Sequence, residues 1–347
     1  MKRQVWTIIA IPIFLFLAIS PLYGADVKGL IQQGLKDLGV KKGDPRICAL
    51  TDATYVKLNG KTTEEYVDLI QEITGCSIGR GNLLFFHRPI TYPLKIALFR
   101  KDTKECVLIT YDGKEAKKIK VNIDSQKATA PGHWRKIEGA IGAADAFSIV
   151  TIANSWALGA PFDFLKCCEF HNHLCPGLTS GYLIVKMIQK RYPLRKGEKY
   201  IFIACPPWCK DDAIQVLLDL TPGKRSLFVK QLTDPQKRGC AAANVAGILV
   251  IWKVKENKGK GLILQFDWQK ACQVSGVKRK DFRPKGGKKN PIFWTTRIKA
   301  DWGLMPYLEK PEQFVRVVKE FEVTPEMLVR LTMAGINPYK EVGFVTK

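Results

Sequence analysis

Cys167-Cys168-Glu169-Phe170-His171-Asn172-His173-Leu174-Cys175-Pro176-Gly177 places two of the chain's four histidines and three of its ten cysteines within eleven residues. Imidazole nitrogen and thiolate sulfur are the usual ligands of zinc and other borderline-soft transition metals. His171, His173 and Cys175 alternate, so an extended segment would turn all three side chains to one side. Pro176-Gly177 breaks that segment, and 178–190 reads as a helix starting directly behind it. Nitrogen and sulfur donors set against a helix N-terminus suit a metal centre or an activated thiolate. The competing description, a buried reduced cysteine beside two incidental histidines, does not account for this density.

The sequence around the motif is one half of a repeat. In the first half a helix is expected over 26–38, ended by Lys41-Lys42-Gly43-Asp44. A buried strand at 46–50, a helix at 64–74 and the glycine-rich loop Gly75-Cys76-Ser77-Ile78-Gly79-Arg80-Gly81-Asn82 follow. Strands are expected at 83–86, 94–99 and 105–111, a linker at 125–133, and a helix or helix pair over 134–158. The second half repeats the order: helix 178–190, a turn, strand 200–204, helix 211–220, a loop, and a strand from Leu227. Asp68-Leu69-Ile70-Gln71 matches Asp212-Ala213-Ile214-Gln215, and without a gap Gly79-Arg80-Gly81-Asn82-Leu83 falls on Gly223-Lys224-Arg225-Ser226-Leu227. Lys42-Gly43-Asp44 falls on Lys196-Gly197-Glu198 once ten residues are inserted after Tyr55 in the first copy. This is a duplication pattern. In that register the position of His171 falls in the N-terminal apolar segment, and Tyr55 stands where the second copy has Cys209. One copy keeps the chemistry; the other is structural.

His171, His173 and Cys175 supply up to three ligands, and Cys209 is the best fourth. It follows the strand of the same repeat, where α/β units commonly place site residues. Cys205 ranks second and Cys168 third. Asp212 suits a hydrogen bond to a ligand histidine, or a helix N-terminal charge. The loop Gly79–Asn82 has neither a Walker lysine nor dinucleotide spacing, so it reads as a turn. His87 and His133 are isolated, and Cys48, Cys76, Cys106, Cys240 and Cys272 read as packing residues. A pair of strands is expected over 247–254 and 261–266, a basic loop at 278–290, and short helices at 311–321 and 325–333. No chemistry attaches to that tail from sequence.

A hydrophobic fraction of 46% places the 347-residue chain among folded proteins, long enough for two domains. The formal charge of +23 allows nucleic acid, an anionic membrane surface or an acidic ligand as partner. No nucleic-acid motif accompanies it, so no specific nucleic acid is expected. Met1-Lys2-Arg3 followed by an apolar run from Val5 to Leu22 has the form of a secretory signal, with an uncleaved anchor as the alternative. Export, to the periplasmic or extracellular face, leaves disulfides open for the ten cysteines, although their spacing lacks the regularity of a disulfide scaffold.

Phe170-His171-Asn172-His173-Leu174-Cys175-Pro176-Gly177, then Gly181-Tyr182, then Cys209 with Asp212-Ala213-Ile214-Gln215, resembles the metal-binding core of the FmdE family, named for a component of formylmethanofuran dehydrogenase. The first copy is similar through Ile70-Gln71, Thr74-Gly75-Cys76-Ser77-Ile78-Gly79 and Gly81-Asn82-Leu83. The resemblance implies an α+β fold of two fused FmdE-like units, the first lacking the His/Cys motif, with a short helical C-terminal tail. The expected divisions are 1–24 (signal peptide or anchor), 25–130 (degenerate repeat), 131–275 (metal-binding domain) and 276–347 (basic loop and helical extension). It implies one transition metal on His171, His173, Cys175 and Cys209, zinc first, with nickel, cobalt and molybdenum species left open. Pairing of family members implies a homodimer or, here, an intramolecular pseudo-dimer; a membrane-associated partner also fits the charge. The expected role is exported metal binding. Its rival is a metal- or thiol-dependent enzyme using an open metal position or Cys175 as nucleophile.

Overall fold

The computed structural model describes residues 25–346; the apolar segment 5–22 lies outside them. The first unit comprises α1 (Ala25–Asp37), β1 (Ile47–Thr51), the hairpin β2 (Lys57–Leu58) and β3 (Lys61–Thr62), α2 (Glu65–Thr74), β4 (Leu83–Phe85), β5 (Leu94–Arg100), β6 (Glu105–Tyr111) and β7 (Ala116–Asn122). Three helices follow: α3 (Pro131–Ile141), α4 (Ala143–Ala157) and α5 (Phe162–Phe170). The second unit begins with α6 (Pro176–Arg191), β8 (Glu198–Ala204), α7 (Lys210–Leu217), β9 (Leu227–Val229), α8 (Asp234–Arg238), β10 (Val245–Lys253) and β11 (Lys258–Phe266). It ends with α9 (Trp268–Ser275), α10 (Ile292–Leu304), β12 (Val315–Val323), α11 (Pro325–Thr332) and α12 (Pro338–Glu341). This is an α+β protein.

The two units share one topology. Their five-stranded sheets run β4-β1-β5-β6-β7 and β9-β8-β10-β11-β12. β1 pairs parallel with β4 and antiparallel with β5; β8 pairs parallel with β9 and antiparallel with β10. The remaining pairs are antiparallel. Ala49 faces Leu83 in one sheet and Phe202 faces Leu227 in the other, so Leu83 and Leu227 open equivalent strands, as their sequences indicate. By the same pairing Ala49 matches Phe202, one residue off the register set by Gly43 and Gly197, so the loops after β1 and β8 align to within one residue. The extra residues after Tyr55 form the β2–β3 hairpin. Gly43 and Gly197 both have positive φ, 79° and 85°. Gly75 caps α2 with φ 73°, and Asp219, its counterpart, takes φ 54° without being glycine. The loop is closed alike in both: Ser77 N–H donates to Asn82 Oδ1 at 3.0 Å, and Thr221 N–H to Ser226 Oγ at 3.1 Å. The turn expected at Gly79–Asn82 is present and begins as one turn of 3-10 helix, Ile78–Arg80.

Helix α4 joins the units. Its small apolar sequence is buried nearly all round, so it serves as a central helix rather than a surface one. It packs among Cys48, Leu50, Phe99 and Leu108 of the first sheet and Cys175, Leu178 and Tyr182 of the second unit. Some of its hydroxyls bond back along the helix, as in Ser155 Oγ–H to Thr151 O at 2.7 Å, while Asn154 Nδ2 reaches out to Ile123 O at 2.8 Å.

The C-terminal region departs from the expected run of short helices. Val315-Arg316-Val317-Val318-Lys319-Glu320-Phe321-Glu322-Val323 forms β12, paired antiparallel with β11. Val315, Val317, Phe321 and Val323 alternate with period two, whereas Pro311 starts only a short 3-10 turn. The tail therefore completes the second sheet. All ten cysteines are free thiols, and no helix among the described residues is long and apolar enough to cross a membrane.

Candidate metal centre

The motif is a turn between two helices, not an extended segment. His171 caps the end of α5, and Asn172 leaves the helical path with φ 66°. Asparagine tolerates this left-handed conformation, and its amide brackets the backbone of His87. Asn172 Oδ1 accepts from His87 N–H at 2.6 Å, and Nδ2 donates to His87 O at 3.1 Å. Leu174 N–H donates to Thr151 Oγ1 of α4 at 2.9 Å. Cys175 then caps α6, with Pro176 at its first position, where a missing N–H costs no helical bond.

Cys209 comes from the loop after β8 and caps α7. Two glycines let that loop approach α6. A Cβ on Gly177 would stand 2.8 Å from Cys209 Cβ, and one on Gly181 would overlap the carbonyl oxygen of Lys210. The result is a group in which a ring nitrogen of His171 and the sulfurs of Cys175 and Cys209 lie within 4.8 Å of one another. Cys175 Sγ is 3.6 Å from His171 Nε2. Bonds of about 2.0–2.3 Å to a tetrahedral zinc hold its ligand atoms within about 4 Å of one another, so this donor set fits such an ion after slight closure.

In the metal-free site protons are shared among the donor atoms, and a bound metal would displace them. His171 Nδ1 and Asp212 Oδ2 share a hydrogen bond of 2.6 Å, the arrangement that fixes a histidine's tautomer and leaves Nε2 to face a metal. Burial opposes the His171 imidazolium, but hydrogen bonds to Asp212 and Cys209 outweigh it and raise the group to about 9 in the absence of metal. The Cys175 thiol, as donor, and then His171 pull Cys209 below the usual thiol range, against its burial. Cys175 is pushed up correspondingly, first by Cys209 and then by burial. Both sulfurs sit at helix N-termini, which also favour thiolate.

His173 is placed differently. Its ring lies 4.3 Å from that of His171 and 5.0 Å from Phe147, and it is not part of the three-donor group. Burial, then the neighbouring His171 charge, keep it neutral, down to about 3. Cys205 belongs to the opposite face of the second sheet, and Cys168 is buried in the shared core with its thiol held well up by burial. His87 stacks on Tyr55 at 4.1 Å. Below the site, Thr179 Oγ1–H donates to Asp301 Oδ1 at 3.0 Å, while Asp301 Oδ2 has no hydrogen-bond partner among the described residues. Burial keeps the Asp301 carboxyl neutral far above the usual carboxylate range.

The site opens into a cavity of about 630 Å³. Its far side is built by the loop 278–290 and α10, the region to which sequence attached no chemistry. Arg279, Arg283, Lys288 and Arg297 line it there, and Arg88 lines it from the first unit. The available signal was the coincidence of that basic run with Phe282, Phe293 and Trp294.

The fold pairs two α+β units, and a His/Cys group able to hold a metal ion lies at the start of the second. Residues 170–312 match the FmdE family model, described as FmdE, molybdenum formylmethanofuran dehydrogenase operon. Residues 170–312 form an FmdE-family domain. The match takes in the ligand turn and continues through the basic loop and α10. No curated protein matches the chain.

Proposed function

We propose that this chain binds one transition-metal ion, zinc first, through His171 Nε2, Cys175 Sγ and Cys209 Sγ. The observation that carries this is their convergence within 4.8 Å, with Asp212 already bonded to the far nitrogen of His171. Nickel, cobalt and molybdenum species suit the same donors less selectively. Three protein ligands beside a cavity make an exchangeable or reactive centre rather than a closed structural one. A metal here supplies Lewis-acid character at its open position. His173, the fourth residue expected to ligate, is proposed to flank that position as a neutral imidazole, close enough to complete the shell if the turn closes. Export to the periplasmic or extracellular face is part of the same reading and rests on the basic and apolar N-terminal segment.

Titration of metal-free protein with Co²⁺ under reducing conditions tests the site. One equivalent should saturate a thiolate-to-cobalt absorption band, and Cys209→Ala should abolish it. Saturation without that band would contradict sulfur ligation. Comparing the N-terminal residue of exported and retained protein tests the targeting segment.

A thiol-dependent enzyme is the second reading, and the geometry moves its nucleophile. Cys175 is buried, whereas Cys209 is partly exposed and its thiol is drawn below the usual range by Cys175 and His171. Rapid alkylation of Cys209 alone in metal-free protein, blocked by metal, is expected; preferential alkylation of Cys175 would contradict this assignment.

A further inference from the structure

The cavity over the metal centre is larger than an ion and its waters require. At about 630 Å³ it lies within the range of about 300–1,000 Å³ typical of organic-ligand sites. Its lining includes five cationic side chains and no Asp or Glu. Arg88 is ion-paired with Asp145, which it shares with Lys95. Arg279, Arg283, Lys288 and Arg297 make no ion pair among the described residues. Arg297 faces Cys175, Cys209 and Asp301, which leaves Arg279, Arg283 and Lys288 as cationic lining with no acidic partner, an arrangement that favours an anion in the cavity.

The remaining wall is aromatic. Trp208 is 51% exposed at the cavity, and its ring lies 6.4 Å from that of Trp268. Arg279 lies over the Trp268 ring at 5.6 Å, and Arg297 over Phe293 at 3.5 Å. The roof is tethered rather than loose: Arg297 donates to Phe282 O at 3.1 Å, and Trp294 Nε1–H to Lys288 O at 2.8 Å. Guanidinium groups stacked on rings are preorganised to receive planar anions.

We propose that this cavity binds an organic anion with a flat conjugated body, its charge held by Arg279, Arg283 and Lys288 and its body lying along Trp208 and Trp268. A donor atom on that ligand would face the open position beside His171, Cys175 and Cys209; this last part rests on the metal reading, whereas the anion site does not.

The test uses the full chain and 8-anilinonaphthalene-1-sulfonate, with neutral N-phenyl-1-naphthylamine as the uncharged counterpart. Fluorescence titration should show the sulfonate binding roughly tenfold more tightly than the neutral amine. Arg283→Ala/Lys288→Ala should weaken the sulfonate by roughly tenfold and leave bound metal at the wild-type level, which also reports an intact fold. Equal affinity for the two probes, or no loss in the double variant, would overturn the proposal. Displacement by flavin mononucleotide assigns a phosphate-bearing ligand, and displacement by protoporphyrin IX a carboxylate-bearing one. Failure of both to displace the bound sulfonate would also overturn it. Metal-free Cys209→Ala separates the two readings: sulfonate binding that persists there while wild-type protein holds no metal would remove the metal reading alone.

Discussion

The two sheets of this molecule have the same strand order and the same parallel first pair, yet only one of them carries a metal-ligand group among the described residues. In the second unit the loop after the first strand presents Cys209 to the turn before α6. In the first unit the corresponding loop presents Tyr55, whose ring packs on His87. His87 is in turn bracketed by Asn172, at the centre of the ligand turn. Phe85 N–H also donates to Glu169 Oε1, two residues before His171, at 3.1 Å. The unit without the ligands thus braces the unit that has them. A shared topology preserves the scaffold; donor chemistry depends on a few positions at the ends of its first two helices.

That contrast can be broken most severely at Cys209. Cys209→Ala removes one of three donors and should lower metal affinity by at least about 1,000-fold, whereas Tyr55→Ala should leave affinity within about threefold, measured by competition with a chromogenic chelator. Gly181→Ala comes next. The added Cβ meets Lys210 O, a backbone atom that cannot rotate away, so α6 and the Cys209 loop must separate. Unfolding by denaturant should show a loss of about 3 kcal/mol or more together with weakened metal binding. Gly29→Ala on α1, where a Cβ meets nothing within 4 Å, should be neutral or stabilising.

The first unit has its own pH signature at Asp52, one residue past β1. Burial raises this carboxyl to about 7, against the hydrogen bond it accepts from Lys95 N–H at 2.7 Å. An acid whose folded-state value is raised stabilises the fold most below its ordinary value of 3.8 and loses that contribution as pH rises through about 7. Between pH 5 and pH 8 the loss should be about 2–3 kcal/mol, and Asp52→Asn should flatten that part of the pH dependence. A wild-type profile unchanged by the substitution would contradict the assignment. Smaller still is Asp212→Asn, which keeps the shape but weakens the bond that orients His171; metal affinity should fall about 10–100-fold.

Much of this was legible in the chain. The matched positions from Asp68 to Leu83 and from Asp212 to Leu227 fix the register of the two sheets, because gap-free sequence matches preserve strand pairing. Asp212 was readable as the partner of a ligand histidine. The ligand turn was less so: alternation of His171, His173 and Cys175 suggests extension, but a single left-handed residue at Asn172 brings His171 and Cys175 together and turns His173 toward Phe147. Strand β12 was obscured by Pro311, which resembles a helix start. The cavity roof was hidden for a different reason. Residues 278–297 approach the motif only through tertiary packing of α10, and no local pattern announces a long-range neighbour.

The central claim, a single metal centre confined to the second unit, is tested most directly by elemental analysis of anaerobically purified protein beside Cys209→Ala and Tyr55→Ala. The account predicts about one equivalent of a transition metal in the wild type and in Tyr55→Ala, and none in Cys209→Ala. Metal retained at full stoichiometry in Cys209→Ala would contradict it.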